Sequence, residues 1–330
     1  MPHADDLYLV TGGAGFIGSH LVEALVHQAR RVRVLDNFST GKRSNLAPFL
    51  QAIEVMEGDL ADLDTVRRAM EGVTWVLHQG ALPSVPRSVE DPIAAHQSNA
   101  TGTLHVLLAA RDAGVRKVVY ASSSAVYGDS EELPKREEMP PRPVSPYGVT
   151  KLLGEHYCQV FSQVYGLPTV SLRYFNVFGP RQDPTSQYAA VIPRFITALL
   201  RGEPPVVYGD GLQSRDFTYV GDVVAANLAA LEQETAGGVV LNVACGRRHT
   251  LLELLACLQR ILDVDVAPVF EPPRPGDIRH SQASVERLEE VLGFRPQTSL
   301  EEGLRQTAAW FQAQMAEEKG RDGSGPHPGH

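Results

Sequence analysis

The chain has 330 residues, of which 43% are hydrophobic and 21% charged, and its net charge is −9. At roughly 150 residues per domain this suggests about two lobes with ample apolar surface, which excludes disorder throughout. No apolar run approaches the roughly 20 residues that span a bilayer, and no basic run offers a surface for nucleic acid or an anionic membrane.

The N-terminal stretch Met1–Asp6 carries two acids and no basic residue, and it leads straight into a strand-like run. No signal peptide is visible, so a cytoplasmic location is expected. Strands are predicted over Tyr8–Thr11, Val32–Asp36, Ile53–Glu57, Trp75–His78, Lys117–Ser122 and Thr169–Tyr174. Amphipathic stretches such as Ser19–Gln28 and Leu63–Met70 lie between them. This alternation predicts an α/β fold, a parallel sheet with helices on both faces. After Asn176 the rhythm changes, and Pro, Gly and charge become more frequent. An isolated helix is predicted over Leu251–Leu262, followed by the Pro/Gly segment Glu271–Gly276. Cys158, Cys245 and Cys257 are too few and too scattered for a disulfide framework or a zinc site, so no metal is expected.

The first strand runs into Thr11-Gly12-Gly13-Ala14-Gly15-Phe16-Ile17-Gly18, and a helix follows. Glycines at this spacing make a tight turn and let backbone approach a pyrophosphate, which the helix N-terminus then receives. A glycine-rich turn without a ligand is the alternative, but the strand before and the helix after favour the dinucleotide loop. Asp36 ends the second strand, 18 residues after Gly18. A carboxylate there can accept from the ribose hydroxyls and repel a 2′-phosphate, which favours NAD over NADP. Lys42 and Arg43 lie close by and are read as solvated surface residues. Asp59 and Leu60, after the third strand, are placed to meet the adenine; Asp59 serves equally well as a turn or cap residue. Residues 1–176 are thus read as a Rossmann-type doubly wound domain, joined by part of 214–245. Residues 177–318 form a smaller α/β substrate lobe, and 319–330 a disordered tail.

In Ser145-Pro146-Tyr147-Gly148-Val149-Thr150-Lys151, Ser145 is a natural N-cap and Pro146 suits the first helical position. Tyr147 and Lys151 then share one helix face. A phenol is a poor base near its usual pKa of about 10, and a neighbouring ammonium favours the phenolate. The pair makes an acid/base only beside the glycine loop; alone it would be an ordinary helix pair. The run Ser122-Ser123-Ser124 follows the fifth strand, at the sheet edge where ligands bind. Ser123 is the hydroxyl expected to meet a reacting sugar oxygen.

Together these elements resemble the extended short-chain dehydrogenase/reductase family, over roughly residues 7 to 312. Within it the chain looks most like nucleotide-sugar 4-epimerases, on the phrases His78-Gln79-Gly80-Ala81, Ser84-Val85-Pro86-Arg87-Ser88, Arg173-Tyr174-Phe175-Asn176 and Ser214-Arg215-Asp216-Phe217. The phrases Pro180–Pro184 and Ala190–Arg194 look closest to epimerases of UDP-N-acetylglucosamine. The resemblance implies NAD as cofactor and a UDP-hexose as substrate, epimerised at C4 through a 4-keto sugar. Tyr147 would be the acid/base, Ser123 its assistant, and Lys151 the ligand of the nicotinamide ribose that lowers the Tyr147 pKa.

It further implies cofactor contacts at Asn37, Gln79, Ala81 and Ser122, with Asn99, Tyr174 and Val177 by the nicotinamide. Arg215 and Arg274 match arginines on the UDP diphosphate, for which guanidinium forks suit the oxygens. Asp277 matches a carboxylate on the uridine ribose, and Asn176, Val191 and Tyr208 match further diphosphate and uridine contacts. Ser84 and Ser124 match sugar contacts. Ser281 matches a gate beside the C2 substituent, and as a small residue it leaves room for an N-acetyl group without rejecting plain UDP-glucose.

Related dehydratases carry an acidic pair where Ser124 and Ala125 stand, and UDP-glucuronate decarboxylases tend to have a glutamate at Ala125. Neither extra group is present, which favours epimerisation; a UDP-glucuronate 4-epimerase or decarboxylase is the rival. The resemblance also implies a homodimer through the helices predicted over Ser98–Ala113 and Pro146–Tyr165. Leu152, Leu153, Tyr157, Val160 and Phe161 recur on the second at helical spacing, a pattern that ordinary core packing would also give.

Overall fold

The computed structural model describes residues 5–184, 190–234, 237–273 and 278–322. Strand β1 (Leu7–Thr11) buries all five of its residues, as a strand covered on both faces must. The chain turns through Gly12–Gly15 into α1 (Phe16–His27), which starts three residues earlier than its amphipathic pattern suggests. Then follow β2 (Arg31–Asp36), the short α2 (Arg43–Leu46), β3 (Ile53–Glu57), α3 (Leu63–Met70) and β4 (Trp75–His78). The helix predicted over Ser98–Ala113 is interrupted. Short helices α4 (Val85–Glu90) and α5 (Pro92–Ala95) lead into a π-helical turn, His96–Thr101, and α6 begins only at Gly102 (Gly102–Asp112).

β5 (Lys117–Ser123) is followed by α7 (Pro146–Tyr165). The Ser145 hydroxyl accepts from Gly148 N at 3.1 Å, Pro146 opens the helix, and Gly166 closes it at φ +68°. These are the start and stop expected of such residues. β6 (Thr169–Tyr174), β7 (Val177–Phe178) and α8 (Val191–Leu200) come next, then β8 (Val206–Tyr208), β9 (Ser214–Arg215), β10 (Thr218–Tyr219) and α9 (Val220–Glu232). The chain ends with β11 (Val239–Val243), β12 (His249–Thr250), α10 (Leu251–Leu262), β13 (Val269–Glu271), α11 (Glu286–Leu292) and α12 (Leu300–Asp322). α12 carries on past Lys319, where the tail was expected to begin.

Seven strands form one parallel sheet in the order β11-β6-β5-β4-β1-β2-β3. The order reverses between β1 and β4, so a crevice opens at their carboxyl ends, where Thr11 faces His78. One face of the sheet packs on α1, α9 and α11 through residues such as Leu21, Val223 and Leu288. The other packs on α3, α6 and α7 through Val66, Leu107 and Phe161. β11 and α9 thus belong to the sheet layer although they follow residue 176.

A smaller core gathers Phe195, Leu254, Leu258, Leu304 and Phe311 from α8, α10 and α12. This second lobe is tied to the first by Arg181. Its guanidinium donates to the Ser19 carbonyl at 3.3 Å and to His20 Nδ1 at 2.6 Å, and pairs with Glu23 of α1. Lys42 and Asp183 make a second tie at 3.3 Å. Among the described residues no helix is long and apolar enough to cross a membrane, and no cluster of potential metal ligands occurs.

Candidate active site

The crevice is a cleft of about 600 Å³. Its floor is the glycine loop. Gly12 has φ +67°, and a Cβ on it would lie 2.7 Å from the Gly80 backbone, so the loop after β1 and the loop after β4 touch through bare glycine. Gly15 is the N-cap of α1 without a side-chain cap, which leaves the first N–H groups of that helix for an anion. Gly12, Gly15, Phe16, Ile17 and Gly18 all border the cleft.

At the end of β2, Asp36 accepts from Ala14 N at 2.9 Å and from Phe38 N at 2.8 Å, and burial raises its carboxyl pKa. It borders the cleft with Asn37, Asp59 and Leu60. Asp59 combines the two roles that its sequence left open: it accepts from Ala61 N as a turn residue at 2.8 Å, and from Asn37 Nδ2 on the cleft wall at 2.8 Å. Lys42 and Arg43 are held by Asp183 and Glu57, so neither is a free partner for a 2′-phosphate.

Across the sheet, Gln79 and Ala81 border the cleft after β4, and Tyr174 after β6. The Gln79 amide reaches the Tyr174 hydroxyl at 3.1 Å and Asn227 Oδ1 at 3.2 Å, while Asn227 Nδ2 donates to Tyr174 at 2.8 Å. Desolvation pushes the Tyr174 phenol well above its ordinary range, so it acts here as a neutral hydrogen-bonding group. Asn227 is fully buried on α9, and nothing in its sequence context marks it.

Tyr147 and Lys151 project from the first turns of α7 onto the cleft. Lys151 Nζ donates to the Ala121 carbonyl at 2.8 Å and stands 5.8 Å from the centre of the Tyr147 ring. Burial brings the lysine down to about 7, with Glu155 opposing the shift. Burial raises the Tyr147 phenol, and the hydrogen bond from Ser123 pulls it the other way. Ser123 thus meets Tyr147 directly, while Ser122 borders the cleft but donates its hydroxyl to Glu155 at 2.5 Å. Ser123 also accepts from Ala125 N at 3.2 Å, capping the 3₁₀ turn that holds Ser124.

Other expected residues lie off the cleft lining. Asn99 is buried in the π-helical turn: its oxygen accepts from Leu82 N at 2.7 Å and its amide donates to Thr150 at 3.1 Å. Val177 pairs with Thr218 in the second lobe. Ser84 does border the cleft, as the N-cap of α4, accepting from Arg87 N at 3.2 Å.

Of the remaining substrate residues, Asn176 has φ +34° and donates to the Asp216 carbonyl at 3.3 Å. Val191 opens α8 against the second core. Tyr208 ends β8, with the Arg194 guanidinium 5.3 Å from its ring centre. Arg215 and Ser281 meet through Ser214, whose carbonyl accepts from Arg215 Nη1 and from Ser281 N, both at 3.0 Å. None of these five borders the cleft. Arg274 and Asp277 lie outside the described residues.

Three residues with no assigned role in the sequence prove central to this architecture. Asp216 is wholly buried and accepts from the backbone N–H groups of Cys245 and Gly246 at 3.0 Å and Ala283 at 3.2 Å. Glu155 and Arg173 form a buried two-pronged ion pair at 2.7 and 2.8 Å. The sequence carries a signal for Glu155 only in its place one helical turn after Lys151.

The glycine cradle, the buried carboxylate after β2 and the long cleft fit a dinucleotide. The NAD dependent epimerase/dehydratase family model matches residues 8–244. The chain belongs to that family, whose cofactor is NAD.

A UDP-glucose 4-epimerase of Mycolicibacterium smegmatis is 40% identical over 307 residues, 92% of this chain and 97% of that protein. The structure of a UDP-N-acetylglucosamine 4-epimerase from Methanobrevibacter ruminantium M1, solved with UDP-N-acetylmuramic acid, is 43% identical with a TM-score of 0.90, covering 94% of this chain and 99% of that one. A UDP-glucuronic acid 4-epimerase from Bacillus cereus, solved with UDP-glucuronic acid and NAD, is 31% identical with a TM-score of 0.85, covering 93% and 99%.

Proposed function

We propose that this protein interconverts UDP-N-acetylglucosamine and UDP-N-acetylgalactosamine, and UDP-glucose and UDP-galactose, by epimerisation at C4. The observation that carries this reading is the composition of the cleft around Tyr147. Among the described residues, the carboxylates bordering it are Asp36, Asp59 and Asp183. Asp36 and Asp59 flank the ends of β2 and β3, and Asp183 is held by Lys42. Among the described residues, the acid/base set beside Tyr147 is therefore Ser123, Tyr147 and Lys151. Loss of water from C5 and C6 needs a further acid and base, whereas epimerisation does not.

When bound, NAD supplies a reversible two-electron acceptor at C4. As the phenolate, Tyr147 takes the 4-hydroxyl proton as the 4-keto sugar forms, and it returns that proton to the C4 oxygen when the opposite configuration is made. Ser123 holds both the Tyr147 hydroxyl and the sugar oxygen. Lys151, fixed on the Ala121 carbonyl, provides the local positive charge that offsets the burial of the phenol. Ser84 meets the sugar from the N-terminus of α4, and Asn176, Val191, Tyr208, Arg215, Arg274 and Asp277 hold the UDP part. Ser281 leaves space for the acetamido group.

A second reading, a UDP-glucuronate 4-epimerase or decarboxylase, is favoured by Arg87. Its exposed guanidinium borders the cleft near Ser84, and no carboxylate among the described residues pairs with it. A uronate carboxylate would suit it.

A homodimer in the cytoplasm completes the proposal. Val149, Val160 and Val164 are exposed along α7, with Leu153 and Tyr157 half-buried on the same stripe. Such an apolar stripe suits a helix–helix interface. The experiment is product analysis by NMR. The protein is incubated separately with UDP-N-acetylglucosamine, UDP-glucose and UDP-glucuronate, without added reductant, and the anomeric signals are followed. Galacto-configured product from the first two supports the main reading, and product from the uronate alone replaces it with the second.

A further inference from the structure

Three successive residues at the end of β5 each face a different turn of α7. The Ala121 carbonyl holds Lys151, the Ser122 hydroxyl donates to Glu155, and Ser123 meets Tyr147. Glu155 is buried, 2% exposed. Its Oε1 takes both Ser122 and Arg173 Nε, and its Oε2 takes Arg173 Nη2. Arg173 comes from β6, so one carboxylate joins two strands to the helix that carries the acid/base pair.

We propose that Glu155 is a positioning residue for the Tyr147–Lys151 pair: it locks the ends of β5 and β6 to α7 and keeps Lys151 an ammonium in a site that excludes water.

The surroundings of Lys151 leave this task to Glu155. From α7 itself it meets the neutral Tyr147 phenol. From β5 the Tyr120 ring lies 5.1 Å from Nζ, and desolvation holds its phenol well above its ordinary range, so it supplies no charge. From β4 comes His78, fully buried and brought down to about 3, hence neutral. Cys158, one turn beyond Glu155, is a thiol raised by burial to about 12. From β6 comes Arg173, a like charge whose guanidinium is turned to Glu155. Glu155 is thus the one carboxylate set against Lys151 among these groups, and it opposes the loss of the lysine's proton on burial. A buried charge without such a partner gives up its charge instead.

This inference rests on the acid/base reading of Tyr147 and Lys151, and its test needs no substrate. Lysine labelled at Cε is incorporated into the full-length protein, and the Lys151 signal is assigned with Lys151→Met. The pH titration of that signal is then compared between the wild type and Glu155→Gln. The glutamine keeps the size and can still accept from Ser122 but carries no charge. The midpoint is expected to fall by about one pH unit.

Because Glu155→Gln leaves Arg173 buried and unpaired, which is strongly destabilising, the double variant Glu155→Gln/Arg173→Gln is measured as well. It leaves no lone charge, and a smaller fall in the same direction is expected, because the like charge of Arg173 goes with the carboxylate. An unmoved midpoint in whichever variant folds overturns the proposal. Turnover on the UDP-sugar that the wild type accepts is the second readout: the alkaline limb of its pH profile should move down with the Lys151 midpoint. If the wild type turns over no UDP-sugar, the functional reading fails while the titration still decides the role of Glu155.

Discussion

A Cβ on Gly18 would come within 2.1 Å of the Gly12 carbonyl oxygen. The turn after β1 is therefore closed by α1 lying directly on it, and the obstacle is backbone that cannot swing away. Gly18→Ala should open this turn. Overpacking of about 1–3 kcal/mol corresponds to roughly fivefold to 150-fold weaker NAD binding. Titration calorimetry of cofactor-free protein measures it, and unchanged affinity would remove the tight turn from cofactor recognition.

Tyr147→Phe keeps the ring and removes the proton carrier. Turnover should drop by at least ~100-fold, the usual worth of one acid/base group, with NAD and UDP-sugar affinities retained. Near-normal turnover would take the proton transfer away from Tyr147.

Asp216 gives a pH signature of stability. Burial pushes its carboxyl up to about 7 against the backbone N–H donors that pull it down. The folded chain then holds this proton more tightly than the unfolded one. The stabilisation is complete below the ordinary carboxylate range near about 4 and is lost as pH rises through the folded value. Asp216→Asn removes that dependence. It also turns an N–H toward backbone donors, at a cost of about 1–3 kcal/mol. Thermal melts should show the variant below the wild type, with a gap that narrows from pH ~5 to ~7. A constant gap contradicts the assignment.

Ser281→Tyr tests the proposed gate. The variant should lose turnover on UDP-N-acetylglucosamine about tenfold more than on UDP-glucose, the scale at which pocket shape discriminates. Equal losses on both sugars would discard the gate.

Val160→Glu places a charge in the middle of the exposed stripe on α7. Light scattering at micromolar concentration should give a dimer for the wild type and a monomer for the variant. A monomeric wild type ends the proposed assembly.

Much of the sheet could be read directly. The strands over Ile53–Glu57, Trp75–His78 and Thr169–Tyr174 fall where short β-branched and aromatic runs predict them. Tyr147 and Lys151 were legible because four residues on a helix make one face, and the glycine loop because only glycine tolerates its contacts. What stayed hidden depends on tertiary meetings. Part of 214–245 is expected to join the first domain, but which run does so is set by the pairing of β11 with β6. Asn227 and Asp216 act through partners far away in sequence. The break at His96–Thr101 arises inside a helical pattern whose side chains give no warning of an extra residue per turn. Of the expected diphosphate and uridine contacts, Tyr208 and Arg215 sit on strands of three and two residues, too short for periodicity to register.

The ties made by Arg181 and Asp183 bear on how long the cofactor stays. Both residues border the cleft, and both are fastened to the NAD-binding layer, to α1 and to Lys42. A dinucleotide lying on the glycine loop is thus roofed by the chain that leads into the substrate lobe. A dinucleotide held there would have to part these fastenings to leave, so NAD is expected to stay with the protein through gel filtration, and its ready loss would contradict this. Such retention would suit a reaction that ends in the oxidation state in which it began.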